Sequence, residues 1–425
     1  MNEDFLHYLW KYRLFGPTLT TSHGEPIEVI DTGFHNHDSG PDFLNARIRI
    51  GQTLWAGHVE IHLNSSDWVG HSHHLDLSYH NVILHVVYND DLDPTSDLAP
   101  AAPCLEVAKH VDYKLFYRYH AFLDALGWVP CHDQINHTDH LIMTSWLERM
   151  LAERLTESAQ YVLKLFEETN NDWSETFYRL LARSFGLRLN SEPFEMLSAR
   201  LPLSVILRHR TSLFQLEALL FGQAGFLNDD FKDDYPVRLK IEYSYLRGKY
   251  HLQPLSAHLW QFLRMRPAGF PTIRLAQFAD FWHRNEMGID ELLKCSINDT
   301  FREKFAVTAS DYWTDHYLPD KLSVHRHKVF GDDAINRLLI NTLPSLLFAY
   351  GQVYGNNQLT ERAVAILEQL PPEVNNETKR WVALGIKPAS AAETQALHFM
   401  KKNYCDEKKC LHCSIGNYLL RRNVE

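Results

Sequence analysis

The spacing of apolar residues differs between the first hundred residues of this chain and the remainder. After a short opening segment they mostly alternate or run together through residue 88, and beyond residue 139 they recur every three or four positions. Phe5, Leu6, Leu9, Trp10, Tyr12 and Leu14 fall near helical spacing and predict a short amphipathic helix over 2–14. Ile27, Val29 and Ile30 predict a strand over 26–32. A loop rich in Gly, Asn, Asp and Ser follows, GFHNHDSGPD. Residues 43–50 and 53–63 alternate, and Gly51-Gln52 between them suits a glycine-first hairpin turn. Residues 71–80 read as a short helix or an ordered loop. NVILHVVY, 81–88, is a nearly unbroken β-branched run of the kind that forms a strand buried on both faces.

The second pattern is helical. Leu141, Trp146, Leu147, Met150, Leu151 and Leu155 open the longest predicted helix, and further helices fit 173–186, 193–210, 213–225, 236–249, 274–287, 332–349 and 359–368. In FGQAGFL, Gly225 reads as a helix cap. Breaks fall in the Asp- and Pro-rich stretch 89–103 and near 371–380. These predict an α/β domain over 1–135, a larger, mainly helical domain over 136–370 and a C-terminal segment over 371–425. No internal repeat interrupts this order.

Composition narrows the classes. With 45% hydrophobic and 22% charged residues, the chain is an ordinary globular protein and not a disordered one. A net charge of −11 excludes a wholesale basic coat for nucleic acid, but not a local basic groove. The apolar tract Leu338–Tyr350 contains Asn341 and Pro344 and is too short to span a bilayer. The N-terminus shows no export signal, so a cytoplasmic location and reduced cysteines are expected. Of 25 histidines, eleven precede Asp91, which directs attention to that region.

Within it, Pro41-Asp42 opens one hairpin arm, and His58, Glu60 and His62 alternate on the other. Glu60 and His62 share a strand face. A carboxylate from one strand, joined by a carboxylate and an imidazole from its neighbour, would suit a divalent cation such as Mg²⁺ or Mn²⁺. Helix, three strands, helix, strand, with PD before the hairpin turn and E-x-H after it, resembles the PD-(D/E)XK nuclease superfamily. The resemblance implies a restriction-endonuclease-like mixed sheet. It makes Asp42 and Glu60 metal ligands and places His62 where the superfamily has lysine, as a base or a third ligand. The turn, however, pairs Ile50 with Thr53 and hence Asp42 with Ile61. That register gathers Leu44, Ala46, Ile48, Ile50, Trp55, Val59 and Ile61 on an apolar face and sets Asp42 opposite Glu60. The nuclease reading therefore requires a β-bulge near Pro41-Asp42, or Asp42 just outside the strand.

HSHHLD, from His71 to Asp76, is similar to the HxHxDH of metallo-β-lactamase-like hydrolases, with its aspartate one position late and its last histidine missing. His71 and His73 would add catalytic or ligand groups beside Glu60, or form a polar turn. His85 reads as a core histidine. Phrases running from GPDFLNARIRI to RMRPAGFPTIRLAQFA and YCDEKKCLHC resemble one uncharacterised bacterial domain-of-unknown-function family over nearly the full chain, which implies no reaction.

Two signals lie farther along. Cys405-x4-Cys410-x2-Cys413 suits Zn²⁺ or an iron–sulfur cluster, with His412, His398, Cys104, Cys131 or Cys295 as a fourth ligand. Arg264, Arg266 and Arg274 flank a Pro/Gly loop and are candidates for phosphate contact, Arg266 being the one expected to be structural. The leading expectation is a Mg/Mn-dependent phosphodiesterase acting on DNA or RNA. The alternatives are a non-catalytic nucleic-acid- or protein-binding scaffold with a degenerate nuclease-like domain, and a hydrolase whose histidines hold a transition metal. No membrane partner is expected, and protein partners are not specified.

Overall fold

A computed structural model describes residues 1–422 apart from 17, 37, 94–97, 295, 296 and 298. The chain forms two compact units, Met1–Trp146 with Met400–Glu425, and Leu147–Phe399. The span 371–425 that the sequence had suggested as a separate third segment is thus divided, 371–399 lying in the second unit and 400–425 in the first.

The first unit opens with the helix Glu3–Lys11. Asn2 caps it by accepting the Phe5 N–H through Oδ1 at 3.1 Å, and Glu3 and Asp4 lie in its positive first turn. A mixed sheet follows, with strands β1 (Leu19–Thr20), β2 (Pro26–Asp31), β3 (Phe34–His35), β4 (Phe43–Ile50), β5 (Thr53–Asn64), β6 (Val82–Asn89) and β7 (Cys104–Glu106). Their order is β1-β2-β4-β5-β6-β7, with β3 also on β4. The pairs from β1 to β5 are antiparallel, and β5-β6 and β6-β7 are parallel. A parallel pair needs a crossover. Residues 65–81 provide it through three short turns, Asp67–Gly70, His73–Leu75 and Leu77–Tyr79, which is where the helix or ordered loop was expected.

The hairpin obeys its predicted register near the turn, with Ile50 opposite Thr53 and Ile48 opposite Trp55. The register then shifts between Ala46 and Phe43, so that Phe43 lies opposite Val59. Asn45, with φ of +59°, occupies the irregularity; asparagine tolerates the left-handed region better than most residues. This corrects the predicted face. Phe43, Ala46, Ile48 and Ile50 are buried, Leu44 is only half-buried, and Trp55 is exposed. Beyond the bulge β5 is buried on both sides, with Val59 and Ile61 on one and Glu60 and His62 on the other.

The second unit is helical. Its helices include Trp173–Phe185, Leu213–Gln223, Asp234–Tyr250, Pro271–Arg284, Asp332–Tyr354 and Asn357–Gln369, close to their predicted spans. The span 193–210 divides into Ser191–Arg200 and Leu203–His209, because Pro202 offers no N–H and holds Leu201 out of helical geometry. Gly225, at φ +81°, stands just beyond the end of Leu213–Gln223 as its pattern predicted. No described helix is long and apolar enough to cross a membrane.

Candidate functional site

The bulge has a chemical consequence. Asp42 stands just before β4 and level with Glu60, so the two carboxylates that a regular hairpin would separate lie side by side. The Asp42 N–H donates to Glu60 Oε2 at 3.1 Å, and Asp42 Oδ2 accepts the Ile61 N–H at 2.9 Å. His7, from the N-terminal helix, brings Nε2 to 3.3 Å from Asp42 Oδ2. His7 and Asp42 are perturbed as a pair. Burial opposes charge on both, yet their contact raises His7 and lowers Asp42.

Glu60 is the most enclosed carboxylate of the group, at 4% exposure. Burial, and then the adjacent Asp42 carboxylate, push it up to about 9. Around its Oε1 stand two imidazoles, His62 Nε2 and His73 Nε2, each at 3.3 Å. His71 Nδ1 lies 3.3 Å from the same His62 nitrogen. His62, His71 and His73 can each present one ligand nitrogen with all three within 4.8 Å of one another. His62 comes from β5, and His71 and His73 from the crossover. The parallel pairing of β5 with β6 explains why they meet, since that crossover must return over the strand end it has just left.

A further ring lies behind. Parallel pairing sets His85 of β6 level with Glu60, and His85 Nε2 reaches His62 Nδ1 at 2.9 Å. If His62 Nδ1 carries the proton, it donates to His85 and leaves the Nε2 lone pair facing Glu60 and His71. Burial, followed by repulsion from neighbouring histidines, drives His62 down to about 3, and burial takes His85 to about 4. Both rings are therefore neutral near pH 7, the state a metal ligand needs. Tyr79 stacks on His73 at 3.8 Å, and Trp68 meets His73 and His85 edge-on or tilted.

Sequence reasoning had singled out Asp42, Glu60, His62, His71 and His73, and these five come together. It missed His7 and set His85 aside. A histidine set among Phe5, Leu6, Tyr8 and Leu9 of the N-terminal helix was the available signal for His7. The arginines do not stay together. Arg264 and Arg266 are exposed, but Arg274 is 9% exposed inside the helix Pro271–Arg284. Its Nη1 donates to Gln277 Oε1 at 2.9 Å and its guanidinium lies over Phe330. Arg274 is therefore the structural member of the trio, in place of Arg266.

The family model described as "Protein of unknown function (DUF2851)" matches residues 3–376, and the chain belongs to that family. Neither the curated proteins nor the solved structures gave a match.

Proposed function

We propose that the first unit is a metal-dependent hydrolase of phosphodiesters in DNA or RNA, with Glu60, His62, His71 and His73 holding the cation and Asp42 beside them. The observation that carries this reading is the meeting of three imidazole nitrogens, two of which, on His62 and His73, stand 3.3 Å from Glu60 Oε1. The donor set fits a divalent ion. A carboxylate held unionised by burial and by its neighbour regains its charge beside a cation, and the rings are already unprotonated. Imidazole-rich ligation favours Mn²⁺, Fe²⁺ or Zn²⁺ over Mg²⁺. Such an ion supplies a water of lowered pKa and positive charge for developing phosphoryl oxygens.

The chain's own groups do the rest. His7 and the Ile61 N–H hold Asp42, and His85 fixes the His62 ring. Exposed His71 faces the approach from solvent. The phosphodiester as substrate rests on the resemblance to PD-(D/E)XK nucleases, and the imidazoles take the place of that superfamily's lysine.

The test has two parts. Metal content and affinity are measured for wild type, Glu60→Gln and His62→Ala. Single-stranded, double-stranded and branched nucleic acids are then incubated with Mg²⁺, Mn²⁺ or Zn²⁺. Uncatalysed phosphodiester hydrolysis is so slow that metal removal should abolish cleavage outright. A wild type that binds metal but cuts nothing replaces the hydrolase with a binding scaffold, and one that binds no metal ends both metal readings.

A further inference from the structure

Cys405, Cys410 and Cys413 lie in the first unit, and so does Cys131, although most of the chain separates them. Cys405 ends a single π-helical turn, Lys401–Cys405. The chain then reverses through Lys408, at φ +52°, where the Lys408 N–H donates to Cys405 O at 3.2 Å. Cys410 begins a short turn, Cys410–His412, and Cys413 stands immediately before the helix Ser414–Arg421. Cys413 accepts hydrogen bonds from the Ile415 and Gly416 backbone amides. Gly416 allows the closeness, since a Cβ there would lie 2.4 Å from Cys410 O. Sulfur facing backbone N–H groups at a helix start is an arrangement that favours thiolate.

Cys131 reaches this hairpin from elsewhere in the sheet unit. Its carbonyl accepts the Gln134 and Ile135 amides, each at 2.9 Å, opening the turn Ile135–His137. Arg422 Nη1 donates to His137 O at 2.9 Å and so ties that turn to the end of the Ser414–Arg421 helix. Cys131, Cys410 and Cys413 are buried and Cys405 half-buried.

We infer that Cys131, Cys405, Cys410 and Cys413 form one four-thiolate metal centre that fastens the C-terminal segment into the sheet unit. The fields agree with the placement: Cys413 and Cys410 both act on Cys131 and Cys405, and Cys131 acts on Cys405. Burial comes first in raising all four thiols, and repulsion from the other sulfurs adds to it at Cys131, Cys405 and Cys410. The other fourth-ligand candidates fall away. Cys104 lies beside Ser22 and Asp90, His398 is engaged by Glu377 and Asn375 in the other unit, and exposed His412 is not needed once Cys131 is present. Cys295 lies outside the described residues.

Spacing bears on the metal. Among the described residues only His62, His71 and His73 bring three ligand atoms within 4.8 Å of one another. No three of the four sulfurs therefore lie within 4.8 Å of one another, whereas all those around one tetrahedral zinc, with Zn–S of about 2.3 Å, would stand roughly 3.8 Å apart. A cluster spreads its thiolates over several irons and suits the wider set.

The experiment uses full-length chain purified without oxygen. Zinc, iron and acid-labile sulfide are counted for wild type, Cys131→Ser, Cys413→Ser and the control Cys104→Ser, with X-ray absorption at the metal edge of the wild type. Expected is a sulfur-coordinated centre, one per chain, lost in the Cys131 and Cys413 variants and kept in the control. Iron with sulfide identifies a cluster, and zinc alone identifies a single ion held by the same thiolates after closure. The inference is overturned if Cys131→Ser keeps the full complement or if wild type holds no sulfur-bound metal. Should Cys131→Ser fail to fold, the wild-type spectrum still decides, since nitrogen- and oxygen-only coordination would place the metal at the histidine site instead.

Discussion

His62 touches more of the candidate site than any other side chain. One ring nitrogen faces Glu60 and His71, and the other meets His85. In nuclease chemistry a lysine at this place would act as a cation. Burial and three neighbouring histidines make His62 a neutral donor instead. His62→Lys should therefore eliminate Mn²⁺ or Zn²⁺ binding in calorimetry; retained Mg²⁺-dependent cleavage in that variant would return His62 to the lysine role. His85→Ala should act more gently, weakening affinity by about 10–100-fold, because it removes the ring that orients a ligand and not the ligand itself. A second buried carboxylate gives a test free of metals. Glu217 is fully buried in the helical unit, where Tyr235 Oη and Trp313 Nε1 donate to its Oε2 at 2.6 and 3.2 Å. Burial raises it to about 7, with Asp280 adding repulsion. Its folded value exceeds the unfolded one, so the native state holds the extra proton. Its stabilising contribution is complete below about pH 4.5 and is lost as pH rises through 7. Glu217→Gln should thus gain up to about 3 kcal/mol at pH 8 and close to nothing at pH 4.5, measured by denaturant melts at both values.

The hairpin of β4 and β5 sets the geometry of the candidate site. Its arms and turn were legible because alternation and Gly51-Gln52 are local signals. The bulge was legible only as a requirement, since apolar spacing says nothing about backbone at φ > 0, although Asn45 is a residue that accepts it. Gly33, at φ +82°, packs beneath this irregularity. A Cβ there would lie 2.5 Å from Leu44 O and 2.9 Å from Ala46 N. Gly33→Ala should cost about 1–3 kcal/mol in thermal or chemical unfolding. It should also weaken metal binding, because the bulge sets Asp42 level with Glu60. Lost stability with unchanged metal affinity would separate the bulge from the site. Elsewhere the limits of pattern reading are equally physical. Glu60, His62, His71 and His73 are near neighbours in sequence and were readable as a group. His7, His85 and Cys131 join their partners only through sheet pairing and chain reversal. Arg274 misled because a run of basic residues shows charge and not burial, and the helix that carries it is buried almost all round.

At the scale of the whole molecule, a net charge of −11 means that any affinity for nucleic acid must come from local groups and not from an overall field. With Arg274 buried, Arg264 and Arg266 are the exposed remainder of the basic loop. If they contact phosphate, replacing both with alanine should flatten the slope of log affinity against log salt by about 2 for duplex DNA, at roughly 0.9 per contact. An unchanged slope would leave that loop without a role in binding. The first and last segments of the chain share one compact unit. Residues beyond Phe399 belong with the N-terminal sheet, where Ile415, Leu419 and Leu420 are at most 3% exposed. Tyr8 Oη also donates to Asn417 Oδ1 at 3.4 Å, and Arg118 Nη1 to Leu420 O at 3.4 Å. Burying three such aliphatic side chains contributes about 1.5–3 kcal/mol each. Their sum is comparable to the roughly 5–15 kcal/mol that holds a whole domain folded. A chain ending at Phe399 should therefore lose the melting transition of the sheet unit, with rapid proteolysis of residues 1–146, while a transition for the helical unit persists. Survival of both transitions after the truncation would show that the C-terminal helix is not needed to hold the sheet unit together.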